Sequence, residues 1–250
     1  MLIYFSATGN TKHLVERIEN QGETIVSVED AMRTGTFEYE IEDDRLGILS
    51  PVYFFGFPSI VNEFLNKVNL KFDRKPYVFY VGTFGTTTGA SDIFLEKILE
   101  KKGLALDAQF DIRFSDTWTV MFDLSDEEKV SRQKARADKE IDELLKQLNE
   151  RTRGKHMDMT TPMFIGKIAQ KIYNNSSRKT SKLSVSGACI SCGLCEKKCP
   201  VQAIKMQDKK PVWVKDKCTM CLGCLHRCPK HAIAYGNGRA TNNHGQYIYR

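Results

Sequence analysis

No stretch of the 250 residues approaches the ~18 consecutive apolar residues that a membrane-spanning helix needs. The opening residues lack the basic region and apolar stretch of a secretory signal, and Leu2 to Phe5 read instead as a buried strand. A cytoplasmic protein with reduced thiols is therefore expected. Cysteine is missing from the first 188 residues, so any thiol chemistry belongs to the last quarter of the chain. Acidic residues run short in the later part too. Residues 1 to 150 hold 18 Lys and Arg against 27 Asp and Glu, a net −9, whereas residues 151 to 250 hold 19 against 4, a net +15. The two parts should attract each other or steer different partners to different faces. The basic residues surround cysteine loops and a polar segment with little aromatic interleaving, so nucleic acid is not an expected partner.

What is present in that last quarter is specific. Cys189, Cys192, Cys195 and Cys199 precede Pro200, and Cys218, Cys221, Cys224 and Cys228 precede Pro229. This is C-x2-C-x2-C-x3-C-P twice, the run that holds two four-iron four-sulfur clusters. All eight cysteines of the chain are used by it. Three thiolates on one tight loop grip three corners of a cube, and the fourth reaches the other cluster. One cluster is thus expected on Cys189, Cys192, Cys195 and Cys228, the other on Cys218, Cys221, Cys224 and Cys199. Zinc would want two separated C-x2-C pairs per metal, and disulfides would want an exported chain. The repeat extends past the ligands, since Cys189 to Ile204 aligns without a gap on Cys218 to Ile233, with Ala203 matching Ala232.

Upstream, strand and helix signals alternate. Strands are expected at Leu2 to Phe5, Thr24 to Val28, Leu46 to Leu49, Tyr77 to Val81 and Gln109 to Phe114. Helices are expected at Asn10 to Ile18, Ile60 to Val68 and Asp92 to Lys101. Such alternation implies a doubly wound parallel sheet, an α/β fold. A long helix should run from a capping box at Ser125 and Glu128 to about Asn149, with Ile141, Leu144, Leu145 and Leu148 packing on the sheet.

The turn after the first strand, Ser6-Ala7-Thr8-Gly9-Asn10-Thr11, opens a helix with small and hydroxylic residues, which suits a phosphate at the helix N-terminus. No G-K-[ST] follows it and no G-x-G-x-x-G occurs there, so it is neither a triphosphate loop nor a dinucleotide fingerprint. This loop resembles the FMN phosphate loop of flavodoxins. Pro51-Val52-Tyr53-Phe54 and Gly82-Thr83-Phe84-Gly85, the latter running on to Gly89, fall where flavodoxins sandwich the isoalloxazine ring. The whole chain is similar to flavodoxin-ferredoxin fusions of anaerobic bacteria and archaea. That resemblance implies a flavodoxin-like FMN domain over residues 1–150 and an α+β two-cluster ferredoxin domain over 183–236. Ser6, Thr8, Asn10 and Thr11 are candidates for the phosphate; Tyr53, Phe54 and Phe84 are candidates for stacking on the flavin, while Phe55 and Phe57 are read as core. A ligand beyond the carboxyl ends of the strands at the switch point is what a doubly wound sheet favours.

Residues 151–182 read as a basic linker carrying a short helix from Pro162 to Tyr173. Its stripe of Phe164, Ile165, Ile168 and Ile172 is expected to dock on one of the two domains; touching a membrane surface is the alternative, and membrane contact is not the expected outcome. Trp213 should pack over a cluster, His226 and His231 either tune a cluster or stand exposed, and residues 237–250 read as a polar tail. The sum is an electron carrier passing electrons between two clusters and FMN and exchanging them with redox proteins. The alternative is an FMN-dependent reductase of a small acceptor such as a quinone.

Overall fold

A computed structural model describes residues 1–249; Arg250, the end of the expected tail, lies outside the described residues. The chain runs β1 (Leu2–Tyr4), α1 (Asn10–Ile18), β2 (Ile25–Ser27), α2 (Val28–Thr34), β3 (Glu38–Glu40), β4 (Arg45–Pro51), α3 (Ser59–Lys67), β5 (Asn69–Lys71), β6 (Tyr77–Phe84), α4 (Ser91–Glu100), β7 (Ala108–Arg113), α5 (Glu127–Asn149), β8 (Gly154–His156) and α6 (Met163–Ile172). Six of these strands form one parallel sheet in the order β2-β1-β4-β6-β7-β8. Its first five members have the flavodoxin-like order, with the switch point between β1 and β4.

The sheet is parallel because helices cover both of its faces, and the strands read accordingly as continuous apolar runs. All eight residues of β6 are buried. Ile3, Val78 and Tyr80 face one core with Ile60, Phe64, Leu95 and Leu99 of α3 and α4. Leu2, Phe79 and Val81 face the other with Leu14 and Val15 of α1 and Ile141, Leu144 and Leu148 of α5. Each such side chain contributes about 1.5–3 kcal/mol by leaving water. Leu145 is only partly buried at the edge of the second core.

Three local readings are corrected. The long helix is capped by Asp126, whose carboxylate accepts the Lys129 N–H at 2.8 Å, while the Ser125 hydroxyl turns away to donate to Asp123. A carboxylate at a helix start gains from the dipole as well as from the hydrogen bond, which a serine cannot match. The second strand ends at Ser27, and Val28 opens a helix capped by Ser27 and closed by Gly35 at φ 74°. The supposed linker contributes β8, which pairs with β7 as a sixth strand.

The remainder runs β9 (Leu183–Val185), α7 (Leu194–Lys197), β10 (Ile204–Gln207), β11 (Lys210–Trp213), α8 (Gly223–His226), β12 (Ile233–Tyr235) and α9 (Arg239–Asn243). β9 pairs antiparallel with β12, and β10 with β11 across a tight turn whose Asp208 and Lys209 both have positive φ. The sequence repeat is also a backbone repeat. Ser191 and Met220, Gly193 and Leu222, and Gln202 and His231 are aligned pairs, and all six have φ between 49° and 71°. These loops are held in the left-handed region that bulky residues avoid, as tight loops around a bound group require.

Candidate redox site

A cavity of about 300 Å³ opens at the carboxyl ends of β1, β4, β6 and β7. Ser6, Ala7, Thr8, Asn10 and Thr11 form its floor at the start of α1. Pro51, Val52, Tyr53 and Phe54 form one wall, and Thr83, Phe84 and Gly85 the next. Gly9, Gly82 and Gly89 stand off the lining. Gly9, at φ 104°, lies under Tyr249, where a Cβ would come within 2.8 Å of the Tyr249 carbonyl oxygen. Gly82 sits inside β6 beside Tyr80, and Gly89, at φ 60°, abuts the Phe55 backbone.

The floor fits a phosphate. The first turn of any helix presents amides without intrahelical partners, and Gly9 provides no side-chain cap at this one. Ser6 Oγ is buried and has no hydrogen-bond partner among the described residues. A buried hydroxyl in that state is costly unless a ligand completes it. Thr11 Oγ1 lies 2.8 Å from Thr83 Oγ1, tying the floor to the neighbouring strand.

The aromatic wall is a strained loop. Tyr53 and Gly56 exchange both backbone hydrogen bonds, and Phe54 and Phe55 between them have φ of 49° and 65°. The Gln170 amide of α6 holds this loop by donating to the carbonyls of Tyr53 at 2.7 Å and Phe54 at 3.1 Å. Phe54 stacks on Tyr173 with centroids 5.1 Å apart and meets Trp118 edge-on at 5.6 Å. Burial raises the Tyr53 phenol well above its usual range, although part of its ring faces the cavity. Phe55, read from the sequence as core, also lines the cavity, whereas Phe57 packs in the core against Tyr80.

The loop after β7 was missed by motif reasoning, yet it supplies Asp116, Trp118, Met121 and Phe122 to the lining. The signal was positional: a loop at the carboxyl end of the fifth strand next to a switch point. Asp116 accepts from the Trp118 N–H at 3.0 Å and the Thr86 hydroxyl at 2.9 Å, and burial raises its pKa.

The last wall of the cavity comes from the cysteine-rich part, through Met220 and Cys221. Beyond it the thiols separate into two groups of four. Cys189, Cys192, Cys195 and Cys228 surround one cavity; Cys199, Cys218, Cys221 and Cys224 surround another, with Trp213 beside it. Among the described residues no three His, Cys, Asp or Glu converge closely enough to hold a single metal ion. Backbone amides donate to sulfur at equivalent places: Ala203 N to Cys199 Sγ and Ala232 N to Cys228 Sγ, both at 3.2 Å. Burial pushes the Cys218 thiol up to about 11 and the Cys221 thiol up to about 12, so metal binding there must displace protons.

Aromatic and backbone ties join the two parts. Tyr173, fully buried, donates to the Thr219 carbonyl at 2.6 Å and accepts from the Ser59 N–H at 3.2 Å. His226 is buried with Nε2 2.9 Å from the Thr117 carbonyl, while its Nδ1 accepts from the Tyr247 N–H; burial pushes its pKa down to about 4. It is thus a neutral bridge rather than an exposed side chain, whereas His231 is exposed. The expected tail is a strap. Gln246 donates to the carbonyls of Leu225 and Cys228, the Tyr247 hydroxyl to Asn10 Oδ1 at 2.6 Å, and the Tyr249 N–H to the Thr8 carbonyl. Arg151 pairs with Asp44, Arg153 with Asp107 and Lys155 with Asp92, so the basic later part does meet the acidic first part through contacts at residues 151–155. Among the described residues no ion pair links residues 1–150 to residues 183–249.

The fold, the cavity at the carboxyl ends of the strands and the paired cysteine loops define a redox protein of the electron-transfer class. The family model of the flavodoxin domain matches residues 1–140, and that of the 4Fe-4S dicluster domain matches residues 188–233. The chain belongs to the flavodoxin family and carries a 4Fe-4S dicluster ferredoxin domain behind it. Residues of that second part are similar to Ferredoxin YfhL of Escherichia coli, 40% identical over 53 residues that cover 19% of this chain and 62% of that protein. They are also similar to a component of the ion-translocating oxidoreductase complex of Methanosarcina acetivorans, 42% identical over 45 residues, covering 18% of this chain and 17% of that one. The chain spans less than two thirds of either relative. Among solved structures, a flavodoxin from the domain Archaea aligns at 14% identity with a TM-score of 0.33, covering 57% of this chain and 96% of its own.

Proposed function

We propose that this protein is an electron carrier holding FMN in the aromatic cavity and two 4Fe-4S clusters on the cysteine loops, exchanging electrons with redox partner proteins. FMN takes electrons singly or in pairs and the clusters take them singly, so the combination couples the two kinds of transfer. In this reading Cys189, Cys192, Cys195 and Cys228 hold one cluster, and Cys218, Cys221, Cys224 and Cys199 the other. The observation that carries it is Cys221, which belongs to the second group of thiols and also lines the flavin cavity. Ser6 and the amides of the first α1 turn would hold the phosphate, Thr11 and Thr83 would brace it, and Tyr53, Phe54, Phe84 and Trp118 would enclose the ring and keep water from it.

A second reading, an FMN-dependent reductase of a small acceptor such as a quinone, draws on Asp116. This carboxyl lines the cavity with a raised pKa and could hold a proton there. Anaerobic purification followed by assay of iron, sulfide and FMN, with absorption spectra before and after dithionite, tests the first reading. About eight irons, eight sulfides and one FMN per chain are expected. Full clusters with no FMN, even after FMN is added, would remove the flavin assignment. Steady turnover of a quinone by the purified protein, lost in Asp116→Asn, would favour the reductase.

A further inference from the structure

Helix α6 faces the protein with Gly166, Gln170 and the following Tyr173. A Cβ on Gly166 would lie 2.8 Å from Ala90 Cβ, Gln170 grips the Tyr53 loop, and Tyr173 is buried. At about 100° per residue these positions share one side of the helix. The apolar stripe lies on another side and is not docked. Phe164 is 63% exposed, Ile168 58%, Ile172 54% and Ile165 37%. They fall within an arc of about 100°, with exposed Lys167 and Lys171 along one border. Four large apolar side chains displayed together on ten residues are unusual for a surface that meets only water.

The charge along this segment of the chain has one sign. No Asp or Glu occurs between Asp158 and Glu196, while Lys167, Lys171, Arg178, Lys179 and Lys182 all fall in that interval. We propose that the outward face of α6 is a peripheral docking ridge that seats on an anionic lipid bilayer. Phe164, Ile165, Ile168 and Ile172 would enter the boundary between headgroups and acyl chains, and the lysines would snorkel to the phosphates. The face is a convex ridge built from aromatic, aliphatic and ammonium groups. It has none of the carboxylate, amide or hydroxyl groups by which a protein groove would fix the register of a bound helix. Ten residues rise about 15 Å, so the helix lies on a membrane and does not cross it. Among the described residues no helix is long and apolar enough to span one.

Co-sedimentation of the anaerobic holoprotein with vesicles tests this. Phosphatidylcholine vesicles are compared with vesicles containing about 30% phosphatidylglycerol, at low and high salt. Binding to the anionic vesicles is expected, weakened by salt, and reduced about tenfold or more in Phe164→Ser/Ile168→Ser. Lys167→Gln/Lys171→Gln should lose much of the preference for anionic lipid. Because these side chains point outward, flavin and cluster absorption should match the parent protein in both variants, which excludes misfolding as the cause. Wild-type protein that stays in solution with both vesicle types would overturn the proposal and leave a protein partner as the occupant. Equal binding by Phe164→Ser/Ile168→Ser would overturn it too. So would a wild-type dimer in sedimentation velocity that becomes a monomer in that variant, since a second copy would then cover the face.

Discussion

Ser6 has a hydroxyl that the protein buries and leaves without a partner. A group in that state contributes nothing to the ligand-free fold, so its effects on folding and on binding can be separated. Ser6→Ala should leave the unfolding midpoint of the flavin-free protein unchanged or slightly raised. FMN affinity should fall about ten- to a hundredfold, the value of one hydrogen bond to a charged group. Quenching of FMN fluorescence on titration measures the affinity, and unaltered affinity would place the phosphate elsewhere. Asp111 offers a pH test at the same scale. Burial raises its pKa to about 6, helped by the neighbouring Asp158 and Glu140 carboxylates and opposed by the Asp158 N–H that donates to it at 3.0 Å. The folded state therefore holds this proton between about pH 4 and 6 while the unfolded chain has already released it, so stability falls as pH rises through that window. Asp111→Asn keeps the acceptor and removes the slope. A gain of about 1 kcal/mol is expected at pH 7 after screening is allowed for, with little change at pH 4, measured by urea unfolding at both values.

At the scale of elements, the strained loop from Tyr53 to Gly56 depends on neighbours distant in sequence. Gly89 leaves room for the Phe55 backbone, and a Cβ there would sit 2.3 Å from Phe55 Cα. Since backbone cannot step aside as a side chain can, Gly89→Ala should cost about 2–4 kcal/mol and weaken FMN binding with it. Gln170→Ala removes the donor to two carbonyls, should cost about 1–3 kcal/mol, and should loosen the same wall. Thermal unfolding and FMN titration together report both effects. These contacts mark the limit of what sequence reading could reach. Continuous apolar runs such as Tyr77 to Phe84 announce buried parallel strands, and the cysteine spacing announces its own chemistry. The polar segment Gly154 to His156 has no apolar pattern, because as the edge strand β8 it is held by pairing with β7 and not by burial. Likewise the periodicity of Phe164, Ile165, Ile168 and Ile172 revealed a stripe but not its direction: α6 is anchored through a glycine, a glutamine and a tyrosine, residue types that no hydrophobic pattern flags.

For the whole molecule, the cavity is a joint construction. The cysteine-rich part supplies Met220 and Cys221 to its wall, Tyr173 clamps Thr219 to Ser59, and the strap runs from Gln246 on Leu225 and Cys228 to Tyr247 and Tyr249 on Asn10 and Thr8 after β1. A module of this size, about fifty residues, buries too little apolar surface to fold on that alone, so bound clusters would supply much of its stability. Removing iron should then release one wall of the cavity and slacken the strap over Thr8 and Asn10. FMN and the clusters are expected to be thermodynamically linked even with no direct contact between them, because each favours the same closed arrangement. Anaerobic chelation should lower FMN affinity by about tenfold or more, seen as rising free-flavin fluorescence, and by reciprocity bound FMN should slow iron loss. Tyr249→Ala, which removes the stack on His13 at 4.2 Å while leaving every cysteine in place, should reproduce part of the weakening with full iron content. An iron-free protein that binds FMN as tightly as the holoprotein would show that the flavin cavity is complete within the sheet and that Met220 and Cys221 merely lie against it.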